Sequence, residues 1–346
     1  MKILIDIGHP AHVHLFKNFI FEMKRRKHKI TVTCKDQRIV LHLLKKFKID
    51  FINLGKKGKG FYGKFIKQFL FDIKVIKILY KKKVDIALGS SITISHACLF
   101  HKSSSYVFTE DDKKSAPLFA KFTFPFVNKI ITPKSVNESY GKKHIKLNTL
   151  HELAYLHPNN FKANKEILKD LGIKKNEKYF ILRFNAFKAH HDKGIRGLSL
   201  KVKRELIKIL LPHGKVFINS EQKLEKEFEE YQIKITPEKM HDAIAFSSMF
   251  ITDSNSMTVE AAVLGIPAIR CNDFVGRTPV IEELEHKYGL TYGFIPKDSQ
   301  KMISKVKKLL NDNEFNRIFG MRKKEFLKDK IDLNEWMVSF FGKTKK

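Results

Sequence analysis

Short apolar runs alternate with longer stretches of helical period along almost the whole chain, and this alternation constrains the fold more than any other feature. Residues 2–7, 29–34, 51–54, 84–88, 105–109 and 129–132 read as strands. They are mostly apolar throughout rather than alternating, as in strands buried on both faces. Between them, residues 15–27, 39–47, 65–80 and 115–126 carry apolar side chains at helical spacing. Strand–helix–strand repetition builds a parallel sheet with helices on both faces. The pattern weakens over residues 142–175, which are polar and broken by His157-Pro158-Asn159-Asn160. It restarts with strands at 179–184, 215–219, 250–253 and 267–270 and helices at 198–211, 224–231, 257–264, 279–288 and 300–310. Two doubly wound domains are expected, 1–157 and 158–325, then a helical tail, 326–346. The segment leading into and through that tail carries Phe315, Phe319, Phe326, Trp336, Phe340 and Phe341. So much aromatic area must pack, either on its own domain or back on the first.

Length agrees: 346 residues divide into about two domains. Hydrophobic residues at 43% and charged residues at 30% exclude a disordered or fibrous chain. Lys plus Arg, 67, less Asp plus Glu, 36, leaves a formal charge of +31. Such a charge draws anionic partners, or it reflects a Lys-, Ile-, Phe- and Asn-rich composition. It is spread along the chain rather than gathered in a stripe, so nucleic acid ranks third among the partner classes. Cys34, Cys98 and Cys271 have no ligand or disulfide spacing. The amino terminus reaches Asp6 too soon for a secretory leader, and no run approaches membrane-spanning length. A reduced, cytoplasmic protein is expected.

Two loops stand out. Gly8-His9-Pro10-Ala11-His12-Val13-His14 lies between the first strand and the helix from residue 15. In open α/β sheets ligands bind at the carboxyl ends of strands. His titrates near neutrality and can take a proton from a hydroxyl, so His9, His12 and His14 are candidate catalytic groups. No acidic partner stands at metal-ligand spacing, so no metal is expected. The alternative is that these histidines merely cap the helix or satisfy the loop.

The second loop, Asp253-Ser254-Asn255-Ser256-Met257-Thr258, runs from an apolar strand into a helix that carries Glu260. Small hydroxyl residues at a helix start suit a phosphate, and a carboxylate there can accept from ribose hydroxyls. Asp253, Ser254, Ser256, Thr258 and Glu260 are therefore candidate nucleotide-binding residues. The ordinary reading is a serine cap with a solvent-facing glutamate. The P-loop string G-x-x-x-x-G-K-[ST] does not occur in the chain.

Asp253-Ser254, Glu260-Ala261-Ala262 and Leu264-Gly265-Ile266-Pro267-Ala268 resemble the nucleotide-sugar site of the GT-B superfamily. The spacing is most similar to the non-hydrolysing UDP-N-acetylglucosamine 2-epimerases, with Asn255 and Ser256 where those have a Gly-Gly pair. His12-Val13 is similar to a Gly-His-Val segment of the N-acetylglucosaminyltransferase that makes lipid II. The string from Asp6 to His14, with Ala189-His190-His191-Asp192 and Met240-His241-Asp242, resembles an uncharacterised archaeal and bacterial GT-B-like family over essentially the full chain. The resemblance implies a GT-B fold of two Rossmann-like domains facing a central cleft. It also implies Ser254 and Ser256 at a diphosphate and Glu260 at a ribose.

Further candidates stand at other strand ends. Glu110 and Asp111 close the fifth strand, where the resemblance implies a catalytic glutamate. Arg183, Asn185, His190, His191 and Lys193 follow the first strand of the second domain and are placed on the donor, as are Arg270 and Arg277. The expected activity is transfer of a sugar from a nucleotide-diphosphate sugar, such as a UDP-sugar, to a hydroxyl. The acceptor would be a glycan or lipid-linked, in surface polysaccharide or glycolipid assembly, with His12 as base or aligning group and no metal or other cofactor. A sugar-nucleotide 2-epimerase using Glu110, Asp111 and His190 is the alternative. Residues 61–80 interleave aromatics with lysines, so peripheral contact with the inner face of an acidic membrane is a further expectation beside an ordinary core helix.

Overall fold

The computed structural model describes residues 1–185, 197–220 and 222–343. The chain divides into two units. Unit 1 is Met1–Asn160 with the chain from Lys330 onward, and unit 2 is Phe161–Asp329.

Among its described residues unit 1 holds β1 (Lys2–Ile7), β2 (Lys29–Cys34), β3 (Ile52–Asn53), β4 (Ile86–Gly89), β5 (Ser104–Phe108), β6 (Lys129–Pro133) and β7 (His144–Leu147). They form one parallel sheet in the order β3-β2-β1-β4-β5-β6-β7. The order reverses between β1 and β4, which makes that gap the switch point where an open sheet leaves room for a ligand. Ile3, Leu4, Ile5 and Ile7 are fully buried, as a central strand covered on both faces requires. The helices are α1 (Pro10–Arg25), α2 (Arg38–Lys46), α3 (Gly60–Lys82), α4 (Ile92–Leu99) and α5 (Pro117–Thr123).

Unit 2 holds α6 (Glu166–Asp170), β8 (Tyr179–Phe184), α7 (Leu200–Leu210), β9 (Lys215–Ser220), α8 (Met240–Ala245), β10 (Met249–Thr252), α9 (Asn255–Leu264), β11 (Ala268–Cys271), α10 (Pro279–His286), β12 (Thr291–Phe294), α11 (Ser299–Leu310) and α12 (Phe315–Asp329). Its parallel sheet runs β12-β11-β10-β8-β9, so its switch point lies between β8 and β10. The last helix, α13 (Leu333–Gly342), belongs to unit 1. There Phe341 is fully buried, edge-on to Tyr106 at 4.9 Å and to Phe19 at 5.9 Å between ring centroids.

Several boundaries differ from expectation. The first helix begins at Pro10, not Leu15, so His12 and His14 stand on its first turns rather than in a loop. Proline at the first helical position needs no N–H partner and presets the backbone angle. The stretch from 224 to 231 is a 3-10 helix from Lys226 to Tyr231 rather than an α-helix. The polar stretch after residue 142 contains β7.

Candidate functional site

At the switch point of unit 1 the end of β1 is held from both sides. Asp6 is fully buried and accepts from Thr33 Oγ1 at 2.7 Å and from Ser91 Oγ at 2.5 Å. Gly89 meets it across the gap: a Cβ there would stand 2.8 Å from the Asp6 carbonyl oxygen, so only glycine lets β4 approach. The chain then turns through Gly8 into α1. His9 caps the helix, its Nδ1 accepting from the Ala11 N–H at 3.3 Å. One turn on, His12 Nδ1 accepts from the Gly8 N–H at 3.3 Å. A neutral ring held this way carries its proton on Nε2 and offers a donor there. Burial pushes His12 well below the ordinary imidazole range, and the neighbouring charges of His9, His151, Lys57 and Lys35 push the same way. Lys57 also reaches the Gly8 carbonyl at 3.4 Å.

His14 goes elsewhere, because residues two apart on a helix do not share a face. It is buried, with its ring 5.8 Å from Phe47 and 5.4 Å from Tyr155. Glu110, just past β5, accepts from the His151 backbone N–H through Oε1 at 2.7 Å, and its Oε2 lies 3.8 Å from His151 Nδ1. Asp111 is exposed, in a turn with the Thr109 hydroxyl. His151 was not foreseen from the sequence. Its Nε2 is buried and makes no hydrogen bond among the described residues, an arrangement folded chains rarely leave unused. Unit 1 thus gathers His9, His12, His151 and Glu110 and leaves His14 in its core.

At the switch point of unit 2, Arg183 stands one residue before the end of β8 and donates from Nη1 to Asn219 Oδ1. Asn185 donates its backbone N–H to Asp253 Oδ1 at 2.7 Å. Asp253 is buried just past β10, and desolvation pushes its carboxyl up to about 6 against the pull of the Asn185 and Leu198 backbone N–H groups and of Lys203 and Arg183. Ser254 then occupies the cap position of α9, yet its side chain makes no cap bond. Its carbonyl accepts from Thr258 Oγ1 at 2.6 Å, and Ser256 is exposed on the first turn.

Glu260 does not face solvent. It is buried, with Oε1 3.0 Å from Nε2 of buried His241 on α8. Arg270 is also fully buried, donating to Asn255 Oδ1 at 3.1 Å and pairing with Glu282 at 3.3 Å. Asn272 reaches the same Asn255 oxygen at 3.0 Å and the Asp253 carbonyl at 2.8 Å. Arg270 therefore shapes the α9 start from behind, while Arg277 is exposed. His190, His191 and Lys193 lie outside the described residues.

A family model described as "Protein of unknown function (DUF354)" matches residues 1–333, and the chain belongs to that family. No curated protein matches it by sequence. Among solved structures it is similar to the UDP-GlcNAc 2-epimerase of Neisseria meningitidis bound to UDP-GlcNAc. That likeness has 14% identity and a TM-score of 0.64, and covers 95% of this chain and 99% of that one. S. aureus MnaA in its UDP co-structure is 12% identical, with a TM-score of 0.68 and 98% and 94% covered. Glycosyltransferase VinC in complex with dTDP is 9% identical, with a TM-score of 0.64 and 99% of each chain covered. The likeness establishes the two-domain GT-B fold.

Proposed function

We propose that this DUF354 chain is a glycosyltransferase. It moves a sugar from a nucleotide-diphosphate sugar to a hydroxyl acceptor, with unit 2 holding the donor and unit 1 serving the acceptor. The observation that carries this reading is the start of α9. It stands at the switch point of its sheet, its first turn is not capped by Ser254, and Glu260 is buried six residues on against His241. A helix start of this kind favours a diphosphate. Proteins of the same fold bind UDP-GlcNAc and dTDP. Ser254 and Ser256 meet the diphosphate, Glu260 takes the ribose hydroxyls, and Arg183 offsets the leaving charge without a metal. Arg270 and Thr258 shape the loop.

In unit 1 the hydrogen bond from Gly8 supports an aligning role for His12. A ring that accepts there presents Nε2–H, so it aligns the acceptor oxygen rather than removing its proton. Sugar-nucleotide epimerisation is the second reading, favoured by Glu110 and His151 standing together. Incubation with UDP-N-acetylglucosamine alone in D2O separates the two. Deuterium at C2 supports epimerisation, whereas acceptor-dependent nucleotide release supports transfer. Calorimetry against UDP-, GDP-, CMP- and dTDP-sugars tests the donor site. One of them should bind, and Glu260→Ala should weaken it about tenfold or more, as loss of a charged hydrogen bond implies. Unchanged affinity would remove Glu260 from the donor site.

A further inference from the structure

The first turns of α3 invert the usual placement of apolar side chains. From Phe71 onward the helix packs, with Phe71, Val75 and Leu79 buried at four-residue spacing. Before that, Tyr62, Phe65, Ile66, Phe69 and Leu70 are exposed, Tyr62 by 80% and Phe65 by 70%. The same surface continues on α5, where Leu118 and Phe122 are exposed, and on Phe126 just beyond it. His96 on α4 joins the two parts. Its Nδ1 lies 3.0 Å from Asp72 Oδ2 on α3, and its Nε2 lies 2.8 Å from the Phe122 carbonyl oxygen. Phe69, one turn before Asp72, and Phe122 therefore belong to one continuous face. Folded monomers rarely expose so much contiguous apolar area without a partner.

The charge around this face names the partner. Lys56, Lys57, Lys59, Lys64 and Lys67 lead into and run along α3, and no Asp or Glu occurs between Lys56 and Phe71. Beside α5 opens a cavity of about 460 Å³ with Phe124 and Tyr140 in its wall and Lys113, Lys121 and Lys143 around it. A second copy of the chain is a poor fit, because a two-fold interface would set these lysines against themselves. Nucleic acid has no use for Ile66, Leu70 and Leu118. A bilayer takes aromatic and aliphatic side chains at its headgroup boundary, and anionic lipids favour the lysines. We propose that this face of unit 1 docks on an anionic lipid bilayer.

Flotation of the full chain with phosphatidylcholine vesicles, and with vesicles containing phosphatidylglycerol as well, tests the proposal. Binding should require phosphatidylglycerol and weaken with salt. Lys64→Glu with Lys67→Glu, and separately Phe65→Ser with Phe69→Ser, should each lower partitioning about tenfold or more. These side chains are exposed, so melting temperature and nucleotide-sugar affinity should stay at the wild-type level, which keeps this test apart from that of the donor site. Equal binding to neutral vesicles, no binding to either, or variants that bind like wild type would overturn it. So would a dimer in light scattering that Phe65→Ser dissolves, or binding to single-stranded DNA in preference to the anionic vesicles.

Discussion

Replacing Asp253 with asparagine removes one charge and very little volume. The carboxyl is raised from its ordinary 3.8 to about 6, chiefly by burial. A difference of that size corresponds to about 3 kcal/mol of strain in the ionised form. Between pH values of about 4 and 6 the folded chain holds a proton here that the unfolded chain has lost. Stability from this group therefore falls as pH rises across that window, and the full cost is present at pH 7. In Asp253→Asn the amide oxygen keeps the bond from the Asn185 N–H, while the Leu198 N–H loses its carboxylate partner at a cost of about 1 kcal/mol. The variant should then gain about 2 kcal/mol at pH 7 and lose the added slope between pH 4 and 6. Urea unfolding of both proteins at several pH values measures this directly. A parallel slope in the two proteins, or a variant less stable than wild type at pH 7, would refute the assignment. A diphosphate arriving at the α9 start should push Asp253 higher still. Donor binding near pH 6 should therefore take up a proton, visible in calorimetry as a dependence on buffer ionisation heat.

Four more outcomes follow from the geometry. His12→Ala should lower turnover about a hundredfold, the usual cost of a lost hydrogen-bond donor, while donor affinity stays unchanged in calorimetry. Because His12 is pushed well below the ordinary imidazole range, steady-state turnover should also stay level as pH falls from neutrality through about 6.5. Arg270→Ala removes a fully buried side chain from between Asn255, which keeps its bond from Asn272, and Glu282, which keeps the Gly276 N–H, and the hole left should cost about 2–5 kcal/mol in urea unfolding. Phe341→Ala opens a hole against Phe19 and Tyr106 and should cost about 3–5 kcal/mol, with faster amide exchange in α1 and β5 but not in β8 or β10.

The central strands were legible because burial on both faces leaves a largely apolar run, and β1 and β8 fall where that run begins and ends. Edge strands obey a weaker rule. β7 carries His144 and Lys146, and β12 carries Gly293, so neither shows such a run. α4 was hidden differently: Ile92-Thr93-Ile94 is β-branched, and only its packing makes it helical. In the site, Asp253 through Glu260 could be read because one backbone segment sets their spacing. His151 beside Glu110, and His241 beside Glu260, could not, since distant segments bring them together. The helix start at Pro10 had the same effect on a finer scale, turning His14 into the core.

The placement of α13 in unit 1 makes residues 161–329 an insertion within another domain. On the ribosome, unit 2 can finish folding as soon as its own uninterrupted stretch has emerged. Unit 1 begins before unit 2 and cannot close until after it, because Phe19 and Tyr106 wait for Phe341, which follows the whole inserted stretch. The Phe19 and Tyr106 rings stay uncovered by Phe341 throughout synthesis of the inserted domain, and in that interval a chaperone would have the most to hold.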